Sequence, residues 1–445
     1  MLNNLSGWLD RRFQLSNHQT SVRREAVAGL TTFVSMAYIL FVNPSVLGTA
    51  GMNKGAVFTA TALASIIGCL LMAFLANYPM AIAPGLADNA FFTYSVVLAL
   101  GIPWQKAMTG VFVASVLFTI LSFLKVREIV INAIPHDLKM AMAAGIGLFI
   151  AFVGLQEGGL VVGSKSSLVT LGSLEVPNTW LTIFGLLVIG ILMARHVPGA
   201  IFYGMLATMI LGLVTGLIKM PHRIISVAPS LKPTFSVGVK FLPTMKDPQM
   251  WAVVIIFLLV AFFDTAGTLV GLAQQAGLMV NDRLPRIGQA LMADSLSMLA
   301  GSILGTTPTS CYVESSAGIA VGGRTGLTSL VVAILFAFSL LFSPLLTVVT
   351  DQVTAPALII VGVLMVSSMT EIHWDRFEIA LPCFLTIIGM PLTYNISYGL
   401  AFGFLTSPIM LVAAGKRRDV NPVMWALFIV FIIMLYILNV LPGSK

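Results

Sequence analysis

The sequence predicts an all-α polytopic membrane protein, with about fourteen transmembrane segments in two inverted repeats of seven. Three observations carry that expectation. Hydrophobic residues fill 58% of the 445 positions and charged residues only 9%, against roughly 25% charged in soluble domains; the mean hydropathy is +0.98. The apolar residues are gathered into runs that match a bilayer crossing at roughly 20 residues each. Two of the runs, 79–100 and 305–322, are broken by prolines and polar residues at corresponding places in the two halves.

The N-terminal segment 1–25 is polar, carries Arg11, Arg12, Arg23 and Arg24, and lacks the apolar core of a cleavable signal. The first span therefore serves as the membrane address. A first repeat over 26–219 places spans at about 26–42, 56–76, 79–100, 106–124, 137–155, 179–195 and 199–219. A loop rich in Pro and Lys, 220–248, follows. The second repeat, 249–415, places spans at about 251–271, 287–304, 305–322, 325–345, 354–369, 377–391 and 396–413. The C-terminal segment 416–445 holds one more apolar run, 423–440, left over from the count.

The short loops carry Lys125/Arg127, Arg195, Arg283/Arg286, Arg324, Arg376 and Lys416–Arg418. With the N-terminus in the cytoplasm all of them fall inside, as the positive-inside rule expects; the exception is the 219–248 loop, outside with several lysines, and such long loops weigh less. The net charge of +7 then needs no nucleic acid to explain it. Cys69, Cys311 and Cys383 lie in apolar segments without metal-ligand spacing, and the five histidines lie in loops or at span ends. No phosphate-binding loop, HExxH or GxSxG pattern occurs, so neither ATP-driven pumping nor hydrolysis is expected, and no metal or cofactor.

Shifting the chain by 233 residues sets Ala28–Leu71 on Ala261–Leu304, with identities that include Thr32/Thr265, Gly68/Gly301 and Leu71/Leu304. In both halves two spans precede a broken one. An odd number of spans per half makes the second half enter the membrane from the opposite side, the architecture in which paired interrupted helices meet near the midplane around a ligand.

The broken segments carry the chemistry. In GTTPTSCYVESSAGIAVGG, Pro308 and the hydroxyls of Thr306, Thr307, Thr309 and Ser310 disfavour helix before about Cys311. Glu314 then stands at membrane depth, where an ionisable residue marks function by default. Gly318, one turn on, admits a ligand or another backbone. In the partner segment, Pro79, Pro84 and Gly85 precede Asp88 and Asn89. An Asn amide offers a donor and an acceptor side by side, suited to the edge of a flat heterocycle. Asp264, flanked by Phe263 and Thr265 with Thr268 one turn on, is the third candidate. Asp88, Thr265, Thr268 and Thr307 are expected to support the contact residues rather than touch a ligand.

The stretches AGLTTFVSMAYILFVNP, APGLADNAFF, FFDTAGTLVG, YVESSAGIAVGGRTGLT and APALIIVGVLM together resemble the AzgA-like purine permeases of the nucleobase/ascorbate transporter superfamily, over essentially the whole chain to about residue 415. The resemblance implies a core domain of spans 1–4 and 8–11 moving against a gate domain of spans 5–7 and 12–14. It places substrate binding and proton coupling on Asp264 and Glu314, and substrate contact on Asn89. One departure stands out: the family commonly has an apolar residue where Asp88 precedes Asn89. The implied activity is proton symport of a purine nucleobase, adenine first, with guanine/hypoxanthine or another nucleobase as the alternative. An anion carrier of the same fold is disfavoured, because Glu314 would repel its substrate. The partners implied are a purine, protons and membrane lipid, with a homodimer open, in a bacterial inner membrane.

Overall fold

The computed structural model of the chain describes residues 2–124, 134–221, 223–279 and 284–440; the basic residues Lys125, Arg127 and Arg283 lie outside them. Among the described residues, nine helices are long and apolar enough to cross a membrane. After α1 (Leu2–Phe13), the expected first span is two helices, α2 (Val22–Met36) and α3 (Ile39–Thr49). Pro44 inside α3 cannot donate to the Leu40 carbonyl. The chain tightens just ahead of it, with the Leu40 N–H donating to the Ala37 carbonyl at 3.2 Å and the Phe41 N–H to the Tyr38 carbonyl at 3.0 Å. Tyr38 stands at that break.

Asn53 caps α4 (Lys54–Leu71), which widens into a π-turn over Met72–Ala76 and stops at left-handed Asn77. The first broken segment then runs as β1 (Ile82–Pro84) and α5 (Leu86–Ala90), continued by π-helical turns over Phe91–Ala99. Next come α6 (Trp104–Phe123) and α7 (His136–Glu157). A hairpin of β2 (Val161–Ser164) and β3 (Leu168–Leu171) leads to α8 (Pro177–Ala194) and α9 (Ala200–Val214).

The long loop after α9 is anchored near its middle at two points. Thr59 donates to the Pro229 carbonyl at 2.9 Å, and Thr234 donates to the Leu304 carbonyl at 3.1 Å. Asp247 caps the longest helix, α10 (Pro248–Gln275), followed by α11 (Ile287–Leu304). The second broken segment is β4 (Thr309–Cys311) and α12 (Ser315–Ala320). Then come α13 (Gly326–Ser339), α14 (Asp351–Val366), α15 (Phe377–Leu392) and α16 (Ile396–Ala413). The leftover apolar run is a helix, α17 (Pro422–Val440), whose Phe431 ring stacks on Phe404 of α16 at 4.8 Å.

Two features hold the halves together. The repeat-matched helices α4 and α11 cross where a Cβ on Gly68 would meet Ser297 Oγ at 2.4 Å, so only glycine permits the approach. The broken segments pair as antiparallel strands, Ile82 with Cys311, Ala83 with Ser310 and Pro84 with Thr309. The ladder continues past its ends: the Gly85 N–H donates to the Pro308 carbonyl at 2.9 Å and the Tyr312 N–H to the Ala81 carbonyl at 3.0 Å. The all-α expectation is thus completed by a small central ladder and an outlying hairpin.

A buried carboxylate fixes α13 against this frame. Glu25, fully enclosed on α2, accepts from the Arg324 N–H at 2.9 Å, the Thr325 N–H at 3.3 Å, the Thr328 N–H at 3.2 Å and the Thr328 hydroxyl at 2.6 Å. An anion at a helix N-terminus satisfies donors the helix itself cannot. Glu25→Ala is expected to cost about 2–4 kcal/mol, read as a fall of several degrees in the unfolding temperature of the detergent-purified protein, with Glu25→Gln intermediate.

Candidate functional site

The three threonines that make 305–310 unsuitable as helix each have a hydrogen-bond partner on another helix. Thr306 accepts from Asn43 Nδ2 at 2.9 Å, and the same amide donates to Thr61 at 2.7 Å. Thr307 donates to Asn89 Oδ1, and Thr309 donates to Ser297 at 2.8 Å. The stretch is therefore tied to α3, to α5 and to α11, and Asn43 links α3 on to α4. Tyr312 closes the ladder from above, its hydroxyl donating to the Pro84 carbonyl at 2.6 Å. Ser315 receives the Ala81 N–H at 3.0 Å. The irregular backbone is thereby satisfied by protein, the condition for such a segment to exist at membrane depth.

Asn89 and Glu314 flank this ladder from its two ends. Asn89 lies five residues beyond Pro84, fully enclosed, with Oδ1 engaged by Thr307 and Nδ2 without a partner among the described residues. Glu314 lies three residues beyond Cys311, at the residue that precedes α12, and is only partly buried. Its Oε1 accepts from the hydroxyl of Tyr38, which is 1% exposed. The break in the first span thus delivers a phenol to the carboxylate of the second broken segment. Taken as one apolar helix, 26–42 gives no role to Tyr38; the signal in the sequence is Asn43–Pro44, immediately after that stretch and inside α3.

The remaining candidates divide. Asp88 is enclosed beside Asn89, and Thr307 sits directly on Asn89. Phe263, Asp264 and Thr265 lie along α10, with their side chains outside the described ones, and Thr268 is partly buried one turn further on. The space a side chain would take at Gly318 is filled by Thr32 Oγ1 at 2.0 Å and the Ala28 carbonyl at 2.5 Å, so its contact here is with α2. The aromatic rings near the ladder pack on protein: Phe91 edge-on to Phe257 at 4.7 Å and Phe262 against Phe118 at 5.1 Å. No cluster of His, Cys, Asp or Glu with metal-binding geometry occurs among the described residues.

Chemically, the site offers a carboxylate and a phenol at one end of the ladder and an amide donor at the other. These groups can hydrogen-bond the edge of a planar heterocycle, and a carboxylate can in addition carry a proton.

A family model described as a permease family matches residues 23–402. The chain is 52% identical over 430 residues to the guanine/hypoxanthine permease PbuG of Bacillus subtilis, covering 95% of this chain and 98% of that one. It is 40% identical over 421 residues to the adenine permease AdeQ of Escherichia coli, covering 94% of each. In fold it is similar to the transmembrane domain of the cyanobacterial bicarbonate transporter BicA, with a TM-score of 0.62 at 17% identity, over 88% of this chain and 97% of that one. With the family match across most of its length and relatives aligned nearly end to end, the chain is an integral membrane protein that belongs to the nucleobase permeases of the nucleobase/ascorbate transporter superfamily.

Proposed function

We propose that this protein imports a purine nucleobase by proton symport across a bacterial cytoplasmic membrane, with its N-terminus inside. The observation that carries the reading is the Tyr38–Glu314 pair beside a ladder made from both broken segments. A neutral purine presents ring N–H groups that a carboxylate accepts, and ring acceptors that an amide or hydroxyl satisfies. A carboxylate at membrane depth is costly unless paired, so binding the base and carrying a proton are natural partners at Glu314. Asp264 and Phe263 are assigned to the same site on the family resemblance. Helices α2–α6 and α10–α13 form the core that carries the substrate; α7–α9 and α14–α16 form the gate.

The sequence motifs put adenine first. Two observations favour a 6-oxopurine, hypoxanthine or guanine, instead. The relative named for those bases is 52% identical, against 40% for the one named for adenine. The Asn89 amide also has its oxygen taken by Thr307, which leaves Nδ2 to donate. A lone donor matches the O6/N7 acceptor edge of an oxopurine, whereas the matching edge of adenine pairs an acceptor with an amino donor.

Uptake of labelled hypoxanthine in cells lacking other purine permeases tests both levels. Excess guanine is expected to compete strongly and adenine weakly, and a protonophore to stop accumulation. Equal competition by adenine returns the assignment to adenine, and accumulation driven by sodium alone removes the proton. Glu314→Gln is expected to abolish uptake while the protein still inserts, and Tyr38→Phe to reduce it about tenfold through loss of a hydrogen bond to a charged group. Wild-type kinetics in Glu314→Gln would remove this residue from the site.

A further inference from the structure

A carboxylate at the end of a membrane helix takes no part in the site above. Glu157 is the last residue of α7, and its Oε1 accepts from the hydroxyl of Tyr94 on the π-helical continuation of α5. Two further hydrogen bonds join the same two groups of helices. Ser45 of α3 donates to Asp351 Oδ1, at the start of α14, at 3.0 Å, and the Ile396 N–H, at the start of α16, donates to Ser95 Oγ at 3.0 Å. The helix directions place these three crossings at one end of the molecule: α3, α5 and α7 finish there, and α14 and α16 begin there. On the proposed orientation it is the outer end.

The Tyr94 ring is held as well as its hydroxyl. It is 2% exposed and packs edge-on against Phe149 of α7 at 6.1 Å and Tyr394, just before α16, at 6.0 Å. Tyr94 follows Asn89 by five residues on one continuous helical segment, so any movement of the site relative to α7 must pull this ring out. Glu157 Oε2 is sealed from solvent without a hydrogen bond among the described residues, and the charged groups facing the carboxylate are Asp351 and Lys54. A carboxylate in that state is stabilised by hydration as soon as the interface parts, whereas an all-apolar seam would resist opening.

We infer that Tyr94 and Glu157 are positioning residues for transport, forming an outer latch between the unit that carries the substrate and the unit it moves against. The inference rests on the core and gate assignment made above. The Tyr94–Glu157 hydrogen bond adds to the Ser45–Asp351 and Ile396–Ser95 bonds in holding the outer end shut, and the seam stays openable because water replaces these bonds on separation.

The test uses the full-length protein in intact cells, with Cys69, Cys311 and Cys383 replaced by alanine and Ser95→Cys as a reporter at the seam. The reporter is labelled with a membrane-impermeant maleimide. Tyr94→Phe keeps the ring and removes the bond, and is expected to raise the outside labelling rate about tenfold or more. The apolar pair Tyr94→Phe with Glu157→Leu is expected to lower labelling below the parent and slow uptake, while the purified protein still binds labelled hypoxanthine. Equal labelling in parent and Tyr94→Phe, or acceleration seen only in inside-out vesicles, overturns the latch. A parent that neither binds nor accumulates any purine overturns the functional reading instead, while the labelling rates continue to report on the seam.

Discussion

A polypeptide that interrupts its helices inside a lipid bilayer must find partners for every exposed N–H and C=O within the protein, because the surrounding hydrocarbon supplies none. In this molecule the partners of each interrupted segment are found on the other. Ile82–Pro84 and Thr309–Cys311 satisfy one another as a three-pair antiparallel ladder, and Gly85, Pro308, Ala81 and Tyr312 extend it at both ends. From that constraint follow the close crossing of α4 and α11 beside it, the threonines that pin 306–309 to three different helices, and the placing of Asn89 and Glu314 at its two ends.

The ladder also explains why the chemistry lies where it does. Where the chain is extended, helix periodicity no longer dictates which side chains are buried, and polar groups can be aimed inward at little further cost. Asn89 on α5 and Glu314 just before α12 stand where helix resumes after the two extended strands. Tyr38 reaches the same region from a separate break, produced by Pro44 in the first span. The candidate site thus draws on three interruptions, two of them paired and one supporting.

Much of this was legible in the sequence, for identifiable reasons. Pro79, Pro84, Gly85 and Pro308 are local signals with local effects, and each marks a break that the structure contains. Glu314 is conspicuous as an acid in an apolar context. The pairing between the two breaks was legible only as an inference from the repeat, since the residues that bond are more than two hundred positions apart. Tyr38 was illegible because a tyrosine in an apolar run reads as packing until its neighbour is known. Glu157 was hidden at the end of a span, where acids are ordinary, and its meaning comes from Tyr94, on another helix. The hairpin over 161–171 carried no strong strand pattern, and most of its residues are exposed.

The mutual dependence of the two strands has a consequence for how the chain is made. Residues 82–84 leave the ribosome long before 309–311 exist; at about 5–20 residues per second the wait is roughly ten to fifty seconds. Throughout that interval the partner that 82–84 takes in the finished protein does not exist, and an unpaired strand there could not be accommodated in the bilayer. The nascent first half must therefore remain beside the insertion machinery, or keep its third segment out of the lipid, until the second half arrives. The ladder draws one strand from each half, so it is completed only once residues 309–311 have been synthesised.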